Sequence, residues 1–446
     1  MTAAADAKGA PTQITNRSLV AVVIGNWFEF YDFIVYTFFA VMIAQAIIPG
    51  DNKLMWSLII FGLGFVARPL GAAVIGAYAD RAGRRAAMTL TLMMMAGGAA
   101  VVGLTPTYET AGIWAPIILL TGRLIQGFSC GGEVGPATSY LMEAASPNRR
   151  AALTAWQGHS QQLATIAGAG MGVILAFTLS KEQLYDWGWR VPFLVGILIA
   201  PVGLYIRSQL PETIEKHEMH ESGGAVLWEL LRNYWPQVIL GMFIICGGTV
   251  STYIFNFMTT YAITTLHVCE QLATTLSFTG AIISMIGIGI GAWAADYFPR
   301  KPVLIMTRLI FIAAIWPAWQ ILASIRGDGS CSGFDASAYT LIGVNMTLNF
   351  LFSLGIGGTY AFLTEAFPKP VRASGLAILY ALGVTVFGGT TQPVILWLIE
   401  AMNDPLAPAW YQIAANLASI VAIILLVPHK ESVPTARRDV LAAREA

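Results

Sequence analysis

Five ionisable side chains, Glu29, Asp32, Arg68, Arg123 and Glu133, stand inside long apolar runs of this 446-residue chain. A charge at the centre of a membrane-spanning helix costs at least about 2.5 to 3.5 kcal/mol on insertion scales, so each needs a reason to be there. Asn26, Glu29 and Asp32 recur at every third position and share one stripe of a helix; Arg123, Gln126, Cys130 and Glu133 form a second stripe. Both stripes are expected to face an internal cavity rather than lipid. Two chemistries follow. A carboxylate beside an arginine can exchange a proton with the side it faces, the arginine favouring the ionised form until a proton or an anion intervenes. Asp32 with Arg123 is the leading pair, and Glu29 and Glu133 are the other candidate carriers. A planar guanidinium deep in the bilayer can also fork onto a carboxylate, for which Arg68 and Arg123 qualify. The plainer alternative for Asp32 and Arg123 is a structural ion pair that fixes one helix against another.

Neutral partners stand nearby. His159 could add a switchable charge, and Gln161 and Gln162 beside it can hydrogen-bond carboxylate or hydroxyl groups. The second half of the chain offers Tyr253, Asn256, Asn345, Asn349, Thr390, Thr391 and Gln392, each of which could equally be glue between helices. Asn349 and Gln392 are placed in the candidate binding site. Arg308 lies seven residues past Lys301 and is expected to snorkel to the interface, outside the site. Buried charge then sits in the first half, which is expected to handle protons and carboxylates while the second half supplies neutral hydrogen bonds and shape.

The elements that position these groups are legible in the composition. Hydrophobic residues make up 56% of the chain and charged ones 11%, against about 25% charged in soluble domains. Twelve apolar runs are long enough to cross a core of about 30 Å. They lie near 19–45, 54–78, 86–105, 113–142, 151–179, 190–208, 237–265, 274–295, 302–324, 338–361, 373–400 and 409–427. Lipid offers exposed backbone groups no partner, and the runs lack the alternation of a barrel, so helices are expected. Two charged strings repeat. Asp80, Arg81, Gly83, Arg84 and Arg85 return in degraded form as Asp296, Arg300 and Lys301, and Glu143 and Arg150 return at one shared offset as Glu365 and Arg372. Duplicated halves in a membrane chain point toward transporters.

Of the 25 Lys and Arg residues, eighteen fall on one side of the predicted topology, four on the other and three inside spans, which places both termini in the cytoplasm. The expected organisation is a cytoplasmic tail over 1–18, a six-helix bundle over 19–208, a cytoplasmic linker over 209–236, a second six-helix bundle over 237–427 and a cytoplasmic tail over 428–446. The stretch ahead of Ser18 lacks the apolar core of a secretory signal, so the first run is read as a retained span.

Other functions fare poorly. The net charge is zero, so no basic field suggests nucleic acid. The four cysteines show no metal or redox spacing, although Cys269 and Cys331 both fall in outward loops and could pair in an oxidising compartment. No metal or other cofactor is expected. No GxxxxGK[ST] string supports driving transport with ATP. An integral-membrane enzyme would need a nucleophile beside a base, and the histidines at 217, 220, 267 and 429 are scattered without partners.

The run Gly76-Ala-Tyr-Ala-Asp80-Arg81-Ala-Gly83-Arg84-Arg85 resembles the signature that joins helices 2 and 3 in the major facilitator superfamily, and the resemblance covers nearly the whole chain. Gly25-Asn26-Trp27-Phe28-Glu29-Phe30-Tyr31-Asp32-Phe33, Arg68-Pro69-Leu70-Gly71 and the string from Gly122 to Phe128 look like its metabolite:proton symporters. Trp156-Gln157, Ser160-Gln161-Gln162, Trp187-Gly188-Trp189-Arg190 and Phe387-Gly388-Gly389 look most similar to the citrate and tricarboxylate members. Such strings are partly shared with carriers of shikimate, 2-oxoglutarate and betaine. The resemblance implies an all-α membrane protein of twelve helices in two six-helix bundles, importing an organic acid with protons across a bacterial inner membrane. A monomer is expected, with the acid, protons and lipid as its partners. A betaine or proline carrier is the alternative, although osmosensing members tend to carry a C-terminal coiled coil and the short tail after Pro428 shows no heptads. The resemblance also implies that Gly76, Asp80, Arg81, Gly83, Arg84, Arg85, Glu143 and Arg150, with their counterparts Asp296, Arg300, Glu365 and Arg372, gate the cytoplasmic side.

Overall fold

A computed structural model describes residues 16–82, 84–131, 134–208, 230, 232–329, 334–368 and 371–428. Among these, every regular element is helical. The first half comprises α1 (Asn16–Phe38), α2 (Ala40–Ile47), α3 (Lys53–Ala82), α4 (Arg84–Gly103), the single turn α5 (Tyr108–Ala111), α6 (Trp114–Ser129), α7 (Val134–Ala144), α8 (Arg150–Thr154), α9 (Trp156–Thr178), α10 (Lys181–Asp186) and α11 (Val191–Ser208). The second comprises α12 (Trp235–Thr264), α13 (Glu270–Tyr297), α14 (Arg300–Ser324), α15 (Ala336–Thr364), α16 (Arg372–Gly383), α17 (Gly389–Met402) and α18 (Ala407–Leu425).

Among the described residues, eight helical stretches are long and apolar enough to cross a membrane, and the bent α1–α2 pair makes a ninth. The other three predicted spans are α4, the α6–α7 pair and α11, whose described apolar stretches are shorter. The chain thus has the twelve-helix architecture of two pseudo-symmetric bundles. The halves meet where α3 packs on α17, α7 on α16, α9 on α13 and α1 on α12.

Two spans are less regular than their sequences suggest. The run predicted as one helix over 19–45 bends by 66° between Phe38 and Ala40, with no Gly or Pro at the break. Backbone groups freed by a bend need partners in lipid. Ser57 of α3 supplies one by donating to Ala40 O at 3.2 Å, and Tyr36 donates to Ser57 O at 3.1 Å. The eleventh span passes through a π-turn over Val384–Gly388, a feature often found at functional sites. Its Thr385 donates to Phe65 O at 3.1 Å and so joins the two halves.

Glycines set the closest seam. At Gly71, Gly127 and Gly131 a methyl group would overlap carbonyl oxygens of the facing helix, so α3 and α6 cross with backbone against backbone. Arg68 of α3 and Arg123 of α6 stand on this seam, and its tightness sets their positions.

Candidate functional site

One end of the bundle carries the repeated charged strings, and the halves are locked there. Asp296, ending α13, accepts from the backbone N–H groups of Ala151 at 2.8 Å and Ala152 at 2.9 Å, which open the fifth span. The first amides of a helix lack internal partners and carry the positive end of its dipole, so a carboxylate there gains both hydrogen bonds and field. Arg300 pairs with Asp296 at 3.5 Å and with Glu365, and Arg150 reaches Glu365 at 3.9 Å. Glu365, Arg300 and Arg372 are all buried, and Glu143, which is exposed, acts electrostatically on Arg372. Four of the expected gating residues, Arg150, Asp296, Arg300 and Glu365, therefore form one cluster across the halves. Gly83 lies outside the described residues, as do the side chains of Asp80, Arg81, Arg84 and Arg85 and the surroundings of Gly76. The degraded second copy of the charged loop holds a lock of its own.

The opposite end is tied as well. Glu270 at the start of α13 is buried and takes Lys181 at 3.0 Å and the Tyr185 hydroxyl at 3.1 Å, both from α10 of the other half. α10 is itself fixed by a capping box in which Ser180 and Gln183 satisfy each other's backbone amides. Cys269, just before Glu270, is disulfide-bonded, while Cys130 and Cys246 are thiols; Cys331 lies outside the described residues.

Between the two ties lies a cavity of about 80 Å³, lined from α9 by Gln161 and Gln162 and from the second half by Tyr253, Arg308, Tyr360, Tyr380 and Asn416, with apolar and threonine side chains between. Gln161 donates across it to the Tyr360 hydroxyl at 3.2 Å and the Tyr380 hydroxyl at 3.4 Å. The lining contains one cation, Arg308, and no carboxylate among the described residues.

The expected site residues fall in different places. Gln161 and Gln162 line the cavity; Arg68, Arg123, His159, Asn349 and Gln392 do not. Arg123 is fully enclosed, with its guanidinium 4.3 Å from the centre of Phe33, 4.8 Å from Tyr36 and 4.9 Å from Phe61, and it donates to Gln126 Oε1 at 2.7 Å. Arg68 sits 4.4 Å from Phe33 and 4.5 Å from Phe65. Both cations lie on the Phe33 ring, behind an aromatic wall that Phe61 and Phe65 extend to Tyr253. His159, half-buried, packs at a tilt against Trp156, bonds Ala155 O and faces Gly289 of α13. Asn349 is tied to Asn345 and Ser284 between α13 and α15, and Gln392 donates to Tyr253 O at 3.4 Å.

Asp32 is buried, but no ion pair within 4.0 Å joins it to Arg123 among the described residues, so the structural salt bridge is not made. Arg123 still supplies positive charge to Asp32, whose Oδ1 packs against Gly196 of α11, where a methyl would overlap it. Glu29 is buried and acts electrostatically on Arg68 and Tyr380. Glu133 lies outside the described residues. Asn26, the last of its stripe, exchanges hydrogen bonds with Gln157 and Ser160 of α9 and holds the two helices together.

Arg308 is what sequence reasoning left out. It is only 5% exposed and lines the cavity rather than snorkelling, and the second half also buries Glu270, Arg300, Glu365 and Arg372. Charge is therefore shared between the halves. The available signal was a lone arginine about two turns inside a span, which fits either reading until the helix is rotated into place.

Known proteins agree with this architecture. The model of the sugar (and other) transporter family matches residues 18–222 and 214–436. A citrate-proton symporter of Klebsiella pneumoniae is 36% identical over 92% of this chain and 91% of its own length, and one of Salmonella typhi is 32% identical over 92% and 94%. A proline/betaine transporter of Escherichia coli K12 is 28% identical over 96% and 86%. The crystal structure of a D-xylose-proton symporter superposes with a TM-score of 0.72 at 16% identity, covering 93% of this chain and 98% of that one, a likeness of fold. The chain belongs to the sugar (and other) transporter family of the major facilitator superfamily and is a transport protein, not an enzyme.

Proposed function

We propose that this protein imports a di- or tricarboxylate, with citrate the best single candidate, by proton symport through alternating access. The observation that carries the reading is the cavity between the halves, closed at both ends by ionic ties and lined by a cation without a carboxylate. The citrate-proton symporters that resemble the chain over nine-tenths of its length support the cargo. Breaking one tie at a time opens the cavity to one side at a time. Asp32, with the Arg123 charge acting on it, is the proposed proton carrier, and Glu29 the second candidate.

The charged-loop end is read as cytoplasmic, with both termini on that side. The distribution of Lys and Arg supports this, and so does the disulfide at Cys269 on the other end, which suits an oxidising exterior. The membrane is then the bacterial inner membrane. Asp296 holds the cytoplasmic side shut, and its substitution has a graded outcome. Asp296→Ala frees both amides and is expected to lower uptake about tenfold; Asp296→Asn keeps one acceptor and should fall between. Cysteine accessibility from the cytoplasmic side should rise in the same order, at unchanged expression.

A second reading, a zwitterion such as betaine, draws on the rings of Tyr253, Phe311, Phe352, Tyr360 and Tyr380 in the lining, which could hold a quaternary ammonium. Uptake of labelled citrate, tricarballylate, 2-oxoglutarate, shikimate and betaine into cells expressing the chain, with and without a protonophore, separates the two. Citrate accumulation that the protonophore abolishes is expected. Citrate uptake indifferent to the proton gradient would sink the mechanism, and betaine uptake without citrate would sink the cargo.

A further inference from the structure

We propose that Arg308, and neither Arg68 nor Arg123, fixes a carboxylate of the substrate and selects for acids with at least two such groups. The proposal rests on the acid-symport reading and assigns its specificity to one side chain.

Arg308 follows the start of α14 by eight residues, which places it about 12 Å along the helix. At that depth its side chain is buried and turned into the cavity. A guanidinium offers five N–H donors. The contacts made here are at the edge of bonding distance: Nη1 to Leu304 O at 3.5 Å and Nη2 to the Thr359 hydroxyl at 3.4 Å. No carboxylate pairs with it within 4.0 Å among the described residues. A buried charge in this condition is strongly unfavourable unless an anion arrives. The lining supplies none, so the anion must come with the cargo.

The opposite wall defines the rest of the cargo. Gln161 and Gln162 belong to the first half and Arg308 to the second, and Gln161 now spends its amide on two tyrosine hydroxyls at 3.2 and 3.4 Å. An acid whose first carboxylate forks onto Arg308 can offer a second to Gln161 and Gln162 in place of those hydroxyls. Such a molecule bridges the halves, which a monocarboxylate held by Arg308 alone does not. Arg68 and Arg123 lie against the rings of Phe33, Phe61 and Phe65 and are not part of the cavity lining.

The test is uptake kinetics of citrate by the wild type, Arg308→Lys, Arg308→Gln and Arg123→Lys at matched membrane levels. Arg308→Gln should raise KM about 30-fold or more with the maximal rate held within about twofold; Arg308→Lys, a cation without the fork, should fall between. Arg123→Lys moves the cation that acts on Asp32, so it should lower the maximal rate, with any rise in KM well below that of Arg308→Gln. Unchanged KM in Arg308→Gln, or an equal rise in Arg123→Lys, overturns the proposal. Should Arg308→Gln fail to reach the membrane, Thr359→Val decides: removing the hydroxyl that orients Nη2 should raise KM about threefold, and an unchanged value overturns it. A wild type that carries no di- or tricarboxylate defeats the symport reading itself, whereas an acid-carrying wild type with an indifferent Arg308 defeats this inference alone.

Discussion

Asp32→Asn is expected to abolish proton-driven accumulation while sparing downhill exchange. The amide has nearly the shape of the carboxylate, so it fits the same place against Gly196 of α11, which has no room for a larger group. What it loses is the capacity to take up and release a proton. One charge moving through about 100 mV is worth about 2.3 kcal/mol, and about 1.36 kcal/mol is tenfold in concentration. Each coupled proton thus supports about 50-fold accumulation, and that is the expected loss. Efflux-driven counterflow of labelled citrate in proteoliposomes, which needs no net proton movement, should continue within about threefold of the wild type. Accumulation by Asp32→Asn at the wild-type level would remove Asp32 from the mechanism. The same loss in Glu29→Gln alone would assign the proton to Glu29, whose charge reaches Arg68 and the cavity-lining Tyr380. Arg123 enters the argument through its charge rather than through contact, because it is shut behind Phe33, Tyr36 and Phe61.

What the sequence reveals depends on whether a property is local. Apolar length is local, so the twelve spans could be counted, and the repeat of Glu143 and Arg150 as Glu365 and Arg372 singled out Arg150 and Glu365, which the structure brings to 3.9 Å of each other. Depth along a helix is nearly local too, which is why Asp32, Arg68 and Arg123 were correctly expected to be buried. Rotation about the helix axis is not. Arg308 lies at a depth from which an arginine can snorkel, yet α14 turns it inward. Arg68 and Arg123 carry the right charge, but they lie against Phe33, Phe61 and Phe65 from two helices and outside the cavity lining. Glu270 resembles an ordinary span boundary until α10 folds back to deliver Lys181 and Tyr185. The bend before Ala40 has no Gly or Pro to announce it and is supported instead by Ser57, one helix away.

Gly127→Ala should be the most damaging single methyl tested on this chain, lowering stability by about 3 kcal/mol or more. A Cβ at Gly127 would overlap the Gly64 carbonyl oxygen and lie 2.6 Å from its carbon; at Gly71 the same holds against Phe128. These neighbours are backbone held in helical hydrogen bonds and cannot rotate aside as a side chain would. α3 and α6 must separate instead, which opens the seam along its length. The seam also positions Arg68 and Arg123 on the two sides of it, so the stacking on Phe33 would loosen together with the fold. Gly97→Ala and Gly343→Ala are the controls: both glycines are helical with nothing within 4 Å of an added methyl. Alanine there should be neutral or stabilising by about 0.5 to 1 kcal/mol, since glycine in a helix interior loses more backbone entropy on folding. Thermal unfolding of the purified proteins in detergent compares the three directly. A Gly127→Ala protein melting with the wild type would mean that the two helices are not held as closely as their backbones imply.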